Sequence, residues 1–320
     1  MIGIITNDSH LKSSDIEKTF PQILDKGEEW KIYKDLDASL ADKDKIEILI
    51  NTRKIDGEKI KEFKNLKWVF SYFAGIDTYP LKTLKDMGVI LTNTSGVHAK
   101  SIAEQVFGAM IMFSRNLITA FRNQEKRIYD GSIPHSELTG KNLLVIGMGA
   151  IGKEIARKAK VFDMHVTGIR HSTNKPLPEN FDQAYATDEL DKHLKDKDYV
   201  VSILPSTDET RGLFNKSKFD LMDEDAIFIN VGRGDLIVEE DFIEALESKA
   251  IGGAYLDVYP TEPVPEKSKL WDLENLLMTP HNAGPTPLYF DRAIKIFEKN
   301  YKLYKNGEDM INVIDYDLKY

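Results

Sequence analysis

The chain contains no cysteine. That excludes disulfides, thiol nucleophiles and thiolate metal sites, and it fits a cytoplasmic protein. No apolar run reaches the length of a membrane span, and there is no fixed-period repeat or low-complexity segment. Positive charge is in deficit: 43 Lys and Arg face 52 Asp and Glu, a formal net charge of −9 that argues against general attraction to nucleic acid or anionic membrane. The seven histidines show no ligand spacing, so no metal is expected. Met1-Ile-Gly-Ile-Ile-Thr6 lacks the basic start of a secretory leader and reads as a first strand. At 320 residues the chain has room for two domains, each with a core.

What is present is an alternation of short apolar runs with amphipathic segments. Residues 2–6, 30–33, 46–50, 68–71 and 89–91 read as strands, with helices over 16–23, 57–63 and 79–87 between them. A long apolar helix is expected over 101–117, and residues 120–134 turn charged and aromatic, readable as a surface arm or as a plain loop. Further strands are expected at 143–146, 166–170, 199–204, 226–231 and 251–258, with helices at 213–221, 239–246 and 288–305. This pattern is α/β, with two doubly wound parallel sheets. The expected domains are residues 1–97 with 285–320, and 98–284, joined by two crossings that leave a hinged cleft.

The most informative stretch follows the strand at 143–146. Gly147-Met-Gly-Ala-Ile-Gly152 has the spacing G-x-G-x-x-G and runs into a helical pattern and a second strand. The first glycine permits a tight turn, the second lets backbone approach a pyrophosphate, and the third lets helix and strand pack closely. Gly147, Met148, Gly149, Ala150, Ile151 and Gly152 are therefore expected at a dinucleotide. Where an NAD site places an acidic residue to bind ribose hydroxyls, this chain has Arg170, followed by His171, Ser172 and Lys175. A guanidinium and its neighbours suit a 2′-phosphate, so NADP(H) is the expected cofactor, with NAD(H) possible. Leu204, Pro205, Val231, Gly232, Asp257, His281 and Gly284 complete the expected cofactor-binding set.

Three charged residues stand at or beyond strand ends of the same sheet: Arg233 in Asn230-Val-Gly-Arg-Gly, Glu262 in Tyr259-Pro-Thr-Glu-Pro, and His281 in Thr279-Pro-His-Asn. Reducing a carbonyl requires a proton donor and a cation facing the developing charge; histidine suits the first and arginine the second. Ionised Glu262 would favour the imidazolium form of His281. In the first domain, Phe73-Ala-Gly75 forms a strand exit whose amides are suited to a carboxylate, with Tyr72, Asn51 and Arg53 as pocket candidates.

These motifs resemble the D-isomer-specific 2-hydroxyacid dehydrogenase family. The resemblance rests on Phe73-Ala-Gly-Ile-Asp77, Gly147-Met-Gly-Ala-Ile-Gly152, Asn230-Val-Gly-Arg-Gly-Asp-Leu236, Leu256-Asp-Val-Tyr-Pro-Thr-Glu-Pro263 and Thr279-Pro-His281. It implies a Rossmann-like cofactor domain, a flavodoxin-like substrate domain and a homodimer formed through the cofactor domains. It also implies reduction of a 2-oxo acid to the D-2-hydroxy acid. By the resemblance, Arg233 binds substrate, Glu262 and His281 form the acid pair, and Asp257 holds the nicotinamide carboxamide. Phe73, Ala74 and Gly75 take the substrate carboxylate, and Ile102 and His98 line the nicotinamide pocket. Arg170 is similar to the basic residue of the glyoxylate/hydroxypyruvate reductase branch. Departures are Asn282, where a small apolar residue is common, and Asp163, where glycine is usual. The same motifs also occur in other dehydrogenases of the superfamily and in dinucleotide-sensing corepressors, so both remain alternatives at this point.

Overall fold

The computed structural model describes residues 1–6, 11–76, 78–171 and 176–317. The chain forms two compact units, Met1–Val97 with Thr286–Tyr320, and His98–Pro285. No helix among the described residues is long and apolar enough to cross a membrane.

The first unit is built on β1 (Ile2–Ile5), β2 (Trp30–Tyr33), β3 (Ile48–Asn51), β4 (Trp68–Ser71) and β5 (Ile90–Thr92), all parallel in the order β2-β1-β3-β4-β5. That is the flavodoxin-like order, with the direction of winding reversing between β1 and β3. Both faces are covered, which is why these strands read as apolar runs. On one face Leu49, Val69 and Leu91 pack with Ile60 and Leu84; on the other Trp68 and Phe70 pack on the last helix of the chain, Tyr289–Asn306. Phe297 of that helix stacks on Trp68 and Phe20, with ring centroids 5.3 and 5.5 Å apart. The expected helix over 57–63 is only a 3₁₀ turn, Lys59–Glu62.

The second unit holds a seven-stranded parallel sheet in the order β12-β11-β10-β9-β6-β7-β8. Its strands are β6 (Asn142–Ile146), β7 (His165–Arg170), β8 (Gln183–Ala186), β9 (Tyr199–Ser202), β10 (Ile227–Asn230), β11 (Gly253–Leu256) and β12 (Leu276–Met278). Alternate residues supply two cores. Leu144, Ile146, Val200 and Phe228 face one, and Leu143, Val145, Val201 and Ile229 the other. The expected helix over 101–117 is Ala99–Ser114; Asn116, at φ +51°, ends it and starts a second helix, Leu117–Glu125. The strands β8 and β12 add to the five expected in this sheet.

Asp163, the departure before β7, has φ +56°. Glycine adopts that left-handed conformation freely, and Asp tolerates it at modest cost, so the turn survives the substitution.

The three glycines after β6 divide their roles by geometry. Gly147 has φ +107°, and a Cβ there would lie 3.0 Å from the Ile203 carbonyl oxygen. At Gly152 a Cβ would lie 2.1 Å from the Gly147 carbonyl oxygen, whereas at Gly149 it would meet nothing within 4 Å. Gly152→Ala is therefore expected to destabilise the protein by about 1–3 kcal/mol, the scale of overpacking, in urea unfolding. Gly149→Ala should leave the unfolding midpoint unchanged; equal losses in the two variants would refute this division.

Candidate active site

The carboxyl ends of β6, β9 and β10 lie side by side at the point where the winding of the second sheet reverses, the position at which α/β sheets bind ligands. The glycine turn follows β6 and leads into a helix, Ala150–Val161, capped by Gly149 without a side-chain bond. The amides of Ala150, Ile151 and Gly152 have no acceptor among the described residues. Unmet N–H groups at a helix start, beside open space at Gly149, fit a phosphate. The side chain of Met148 is buried against Gly168, leaving its backbone to the turn. Arg170 ends β7, and its guanidinium donates to the Pro176 carbonyl at 3.1 Å. His171 is exposed; Ser172 and Lys175 lie outside the described residues. Leu204 packs so closely on Gly232 that a Cβ there would lie 2.7 Å from the Leu204 carbonyl oxygen.

Arg233 sits on a turn shaped by Asn230, the last residue of β10. The fully buried Asn230 side chain accepts from the Gly232 amide at 3.1 Å and donates to the Arg233 carbonyl at 2.9 Å. The Arg233 side chain is exposed and donates to the Gly232 carbonyl at 2.9 Å. The turn continues into Gly234, which touches the backbone of Tyr259: a Cβ on Gly234 would lie 1.9 Å from the Tyr259 carbonyl carbon.

Glu262 and His281 are brought together, with His281 Nδ1 2.7 Å from Glu262 Oε2. The other Glu262 oxygen accepts from the Tyr259 amide at 2.9 Å. Burial pushes the Glu262 carboxyl up, but the hydrogen bonds from His281 and Tyr259, with the charges of His281 and Arg233, outweigh it and hold the group below its ordinary value. With Nδ1 on the carboxylate, Nε2 has no protein partner among the described residues. His281 has φ +51°, a left-handed conformation that few residues other than glycine adopt.

The loop that holds this conformation is clamped by Asp257, which is 3% exposed. Its carboxylate accepts from the amides of Asn282 at 2.9 Å and Ala283 at 3.0 Å, and from the Thr279 hydroxyl. His98 Nδ1 and the Ser101 hydroxyl both reach the Gly284 carbonyl at 2.8 Å, and Ile102 is buried beside them in the helix.

In the first unit, the exit of β4 has its carbonyls turned inward. Tyr72 O accepts from the Tyr289 hydroxyl at 2.7 Å, Phe73 O from Ser71 at 2.7 Å and Ala74 O from Asn93 Nδ2 at 2.6 Å. The amides of Ala74 and Gly75 have no acceptor among the described residues. Such a pair suits an anion. Tyr72, expected as a pocket residue, is instead 1% exposed and packed between Phe73 and Tyr289. Asn51 is likewise buried and bonded to Tyr79, whereas Arg53 is exposed.

The residues missed in the sequence are Asn230, Tyr259, Asn93 and Tyr289. Asn230 had a signal: a polar residue closing an apolar strand, where a side chain reaches the following turn. A hollow of about 1100 Å³ opens at the opposite end of the second sheet, lined by Phe113, Arg122, Lys141, Asp198 and Lys249 among others. It faces the amino ends of the strands and is separate from the glycine turn.

A family model for the D-isomer specific 2-hydroxyacid dehydrogenase, NAD binding domain, matches residues 107–283. A probable 2-ketogluconate reductase of Dictyostelium discoideum is 34% identical over 238 residues, 73% of this chain and 71% of the relative. A glyoxylate reductase of Thermococcus onnurineus is 31% identical over 265 residues, 80% of this chain and 78% of the relative. Among solved structures, an NADPH-dependent glyoxylate/hydroxypyruvate reductase from Sinorhizobium meliloti, in complex with NADP and sulfate, is 26% identical with a TM-score of 0.78, covering 100% of this chain and 99% of that one. The chain belongs to the D-isomer specific 2-hydroxyacid dehydrogenase family, an oxidoreductase with a nicotinamide-dinucleotide-binding domain.

Proposed function

We propose that the protein reduces a small 2-oxo acid, such as glyoxylate or hydroxypyruvate, to the 2-hydroxy acid, of D configuration where C2 is a stereocentre, with NADPH preferred over NADH. The observation that carries this reading is the His281–Glu262 contact beyond the ends of strands in the sheet with the glycine turn. The names of the Thermococcus and Sinorhizobium relatives support the substrate class.

The glycine turn and the first helical amides take the pyrophosphate, with Leu204, Pro205, Val231, Gly232, Asp257 and Gly284 completing the dinucleotide site. The bound nicotinamide supplies the hydride. Protonated His281 gives a proton from Nε2 to the carbonyl oxygen, and ionised Glu262 at Nδ1 holds the ring in place. Arg233 faces the charge that develops on that oxygen. The Ala74 and Gly75 amides, beside Phe73, take the substrate carboxylate. In the reverse direction neutral His281 accepts the proton. The reading includes a cytoplasmic location and a homodimer; for the second, the side chains Phe121, Ile128 and Tyr129, on and just beyond Leu117–Glu125, are exposed and available for contact with another copy.

Replacing His281 by Ala removes the proton donor, so kcat for glyoxylate reduction should fall by about 10²–10⁴-fold, with KM for NADPH little changed. Glu262→Gln removes the anion beside the imidazolium. With the ring no longer oriented by a carboxylate, kcat should fall by about 10–100-fold, the scale of a charged hydrogen bond, with KM for NADPH little changed; an unchanged kcat would show the contact to be catalytically idle.

Arg170 offers a guanidinium to a 2′-phosphate. Arg170→Ser should cut kcat/KM for NADPH by about 10–100-fold, the scale of a charged hydrogen bond or two, and affect NADH far less. Equal losses with both cofactors, or a strong preference for NADH in the wild type, would rule out this cofactor assignment.

A further inference from the structure

The three loops that carry Arg233, Glu262 and His281 meet on one residue that the proposed mechanism does not use. Tyr259 lies just beyond β11 and is 6% exposed. Its amide donates to Glu262 Oε1 at 2.9 Å. Its hydroxyl lies 2.9 Å from the carbonyls of both Leu256 and Thr279. The Thr279 carbonyl also accepts the His281 amide at 3.0 Å, so it is the acceptor that closes the tight turn holding His281. The backbone of Tyr259 is also the surface against which Gly234, next to Arg233, is packed.

We infer that Tyr259 is a positioning residue for the acid pair, fixing Glu262 through its main chain and the His281 turn through its hydroxyl. The inference rests on the proposed role of His281 and Glu262. A phenylalanine at this position would fill the same space in the core. The hydroxyl adds a bond to a carbonyl that is already engaged by the His281 amide, and so it restrains the direction of the turn. The His281 backbone is left-handed, a conformation that persists where its neighbours are held, and the hydroxyl holds one of them, Thr279, from a second side.

Tyr259→Phe keeps the ring and removes only the hydroxyl, which makes it the test. In wild-type background kcat should fall about fivefold to tenfold, the scale of one buried hydrogen bond, with KM for NADPH unchanged. In the Glu262→Gln background the same substitution should cost less than about twofold, because the pair it serves is already broken. Equal costs in the two backgrounds would overturn the inference. A second readout needs no turnover. The imidazole ¹⁵N resonances of His281 in the cofactor-free protein should move in Tyr259→Phe towards those of Glu262→Gln, and unchanged resonances would also overturn it. Absence of any 2-oxo acid reduction by the wild type would instead refute the proposed function, leaving the resonances to decide the role of Tyr259.

Discussion

One buried carboxylate sets the geometry beyond the last strands of the second sheet. Burying the charge of Asp257 costs several kcal/mol if its donors are absent, and here two backbone amides and a hydroxyl supply them. All three donors belong to residues 279–283, so the carboxylate holds that segment at both ends and His281 between them. The left-handed backbone of His281 is tolerated because its neighbours are fixed. An Asp257 so engaged has a structural task alongside any contact with a cofactor. Tyr259 works on the same segment from the other side, through the Thr279 carbonyl.

The parallel sheet explains why chemistry gathers there at all. With all strands running one way, every strand exit opens at the same end, and turns after β6, β9, β10, β11 and β12 become neighbours although they are far apart in sequence. Short backbone approaches then decide which residues fit. Gly152 admits Gly147, Gly232 admits Leu204 and Gly234 admits Tyr259. These contacts are between backbones, so they are set by the fold and demand glycine whatever the ligand.

Much of this was legible in the residues. The run 143–146, the glycine triplet and the strand after it form a local unit with strong periodicity, and both sheets follow from apolar runs buried on two faces. The pairing of Glu262 with His281 was legible as a joint expectation because both stand beyond strand ends of the sheet that carries the glycine turn and match the acid pair of the family the chain resembles. Other parts were not. The edge strand Gln183–Ala186 is half-exposed and carries no apolar run, and Leu276–Met278 is too short for periodicity to show. Tyr72 looked like a pocket wall because aromatics at strand exits often are, but contact with Tyr289, 217 residues away, takes it into the core. Tyr259 and Asn93 act through bonds to distant or neighbouring backbone, which composition and spacing do not encode.

In the proposed reaction a 2-oxo acid takes hydride directly from the reduced nicotinamide while His281 provides the proton. The most direct measurement follows the label. Glyoxylate incubated with enzyme and NADPH deuterated on one face of C4, then on the other, is examined by NMR of the product. Direct transfer puts one deuterium on C2 of the hydroxy acid from one labelled face only. A deuterium-free product from both labels, formed at the full rate, would contradict it.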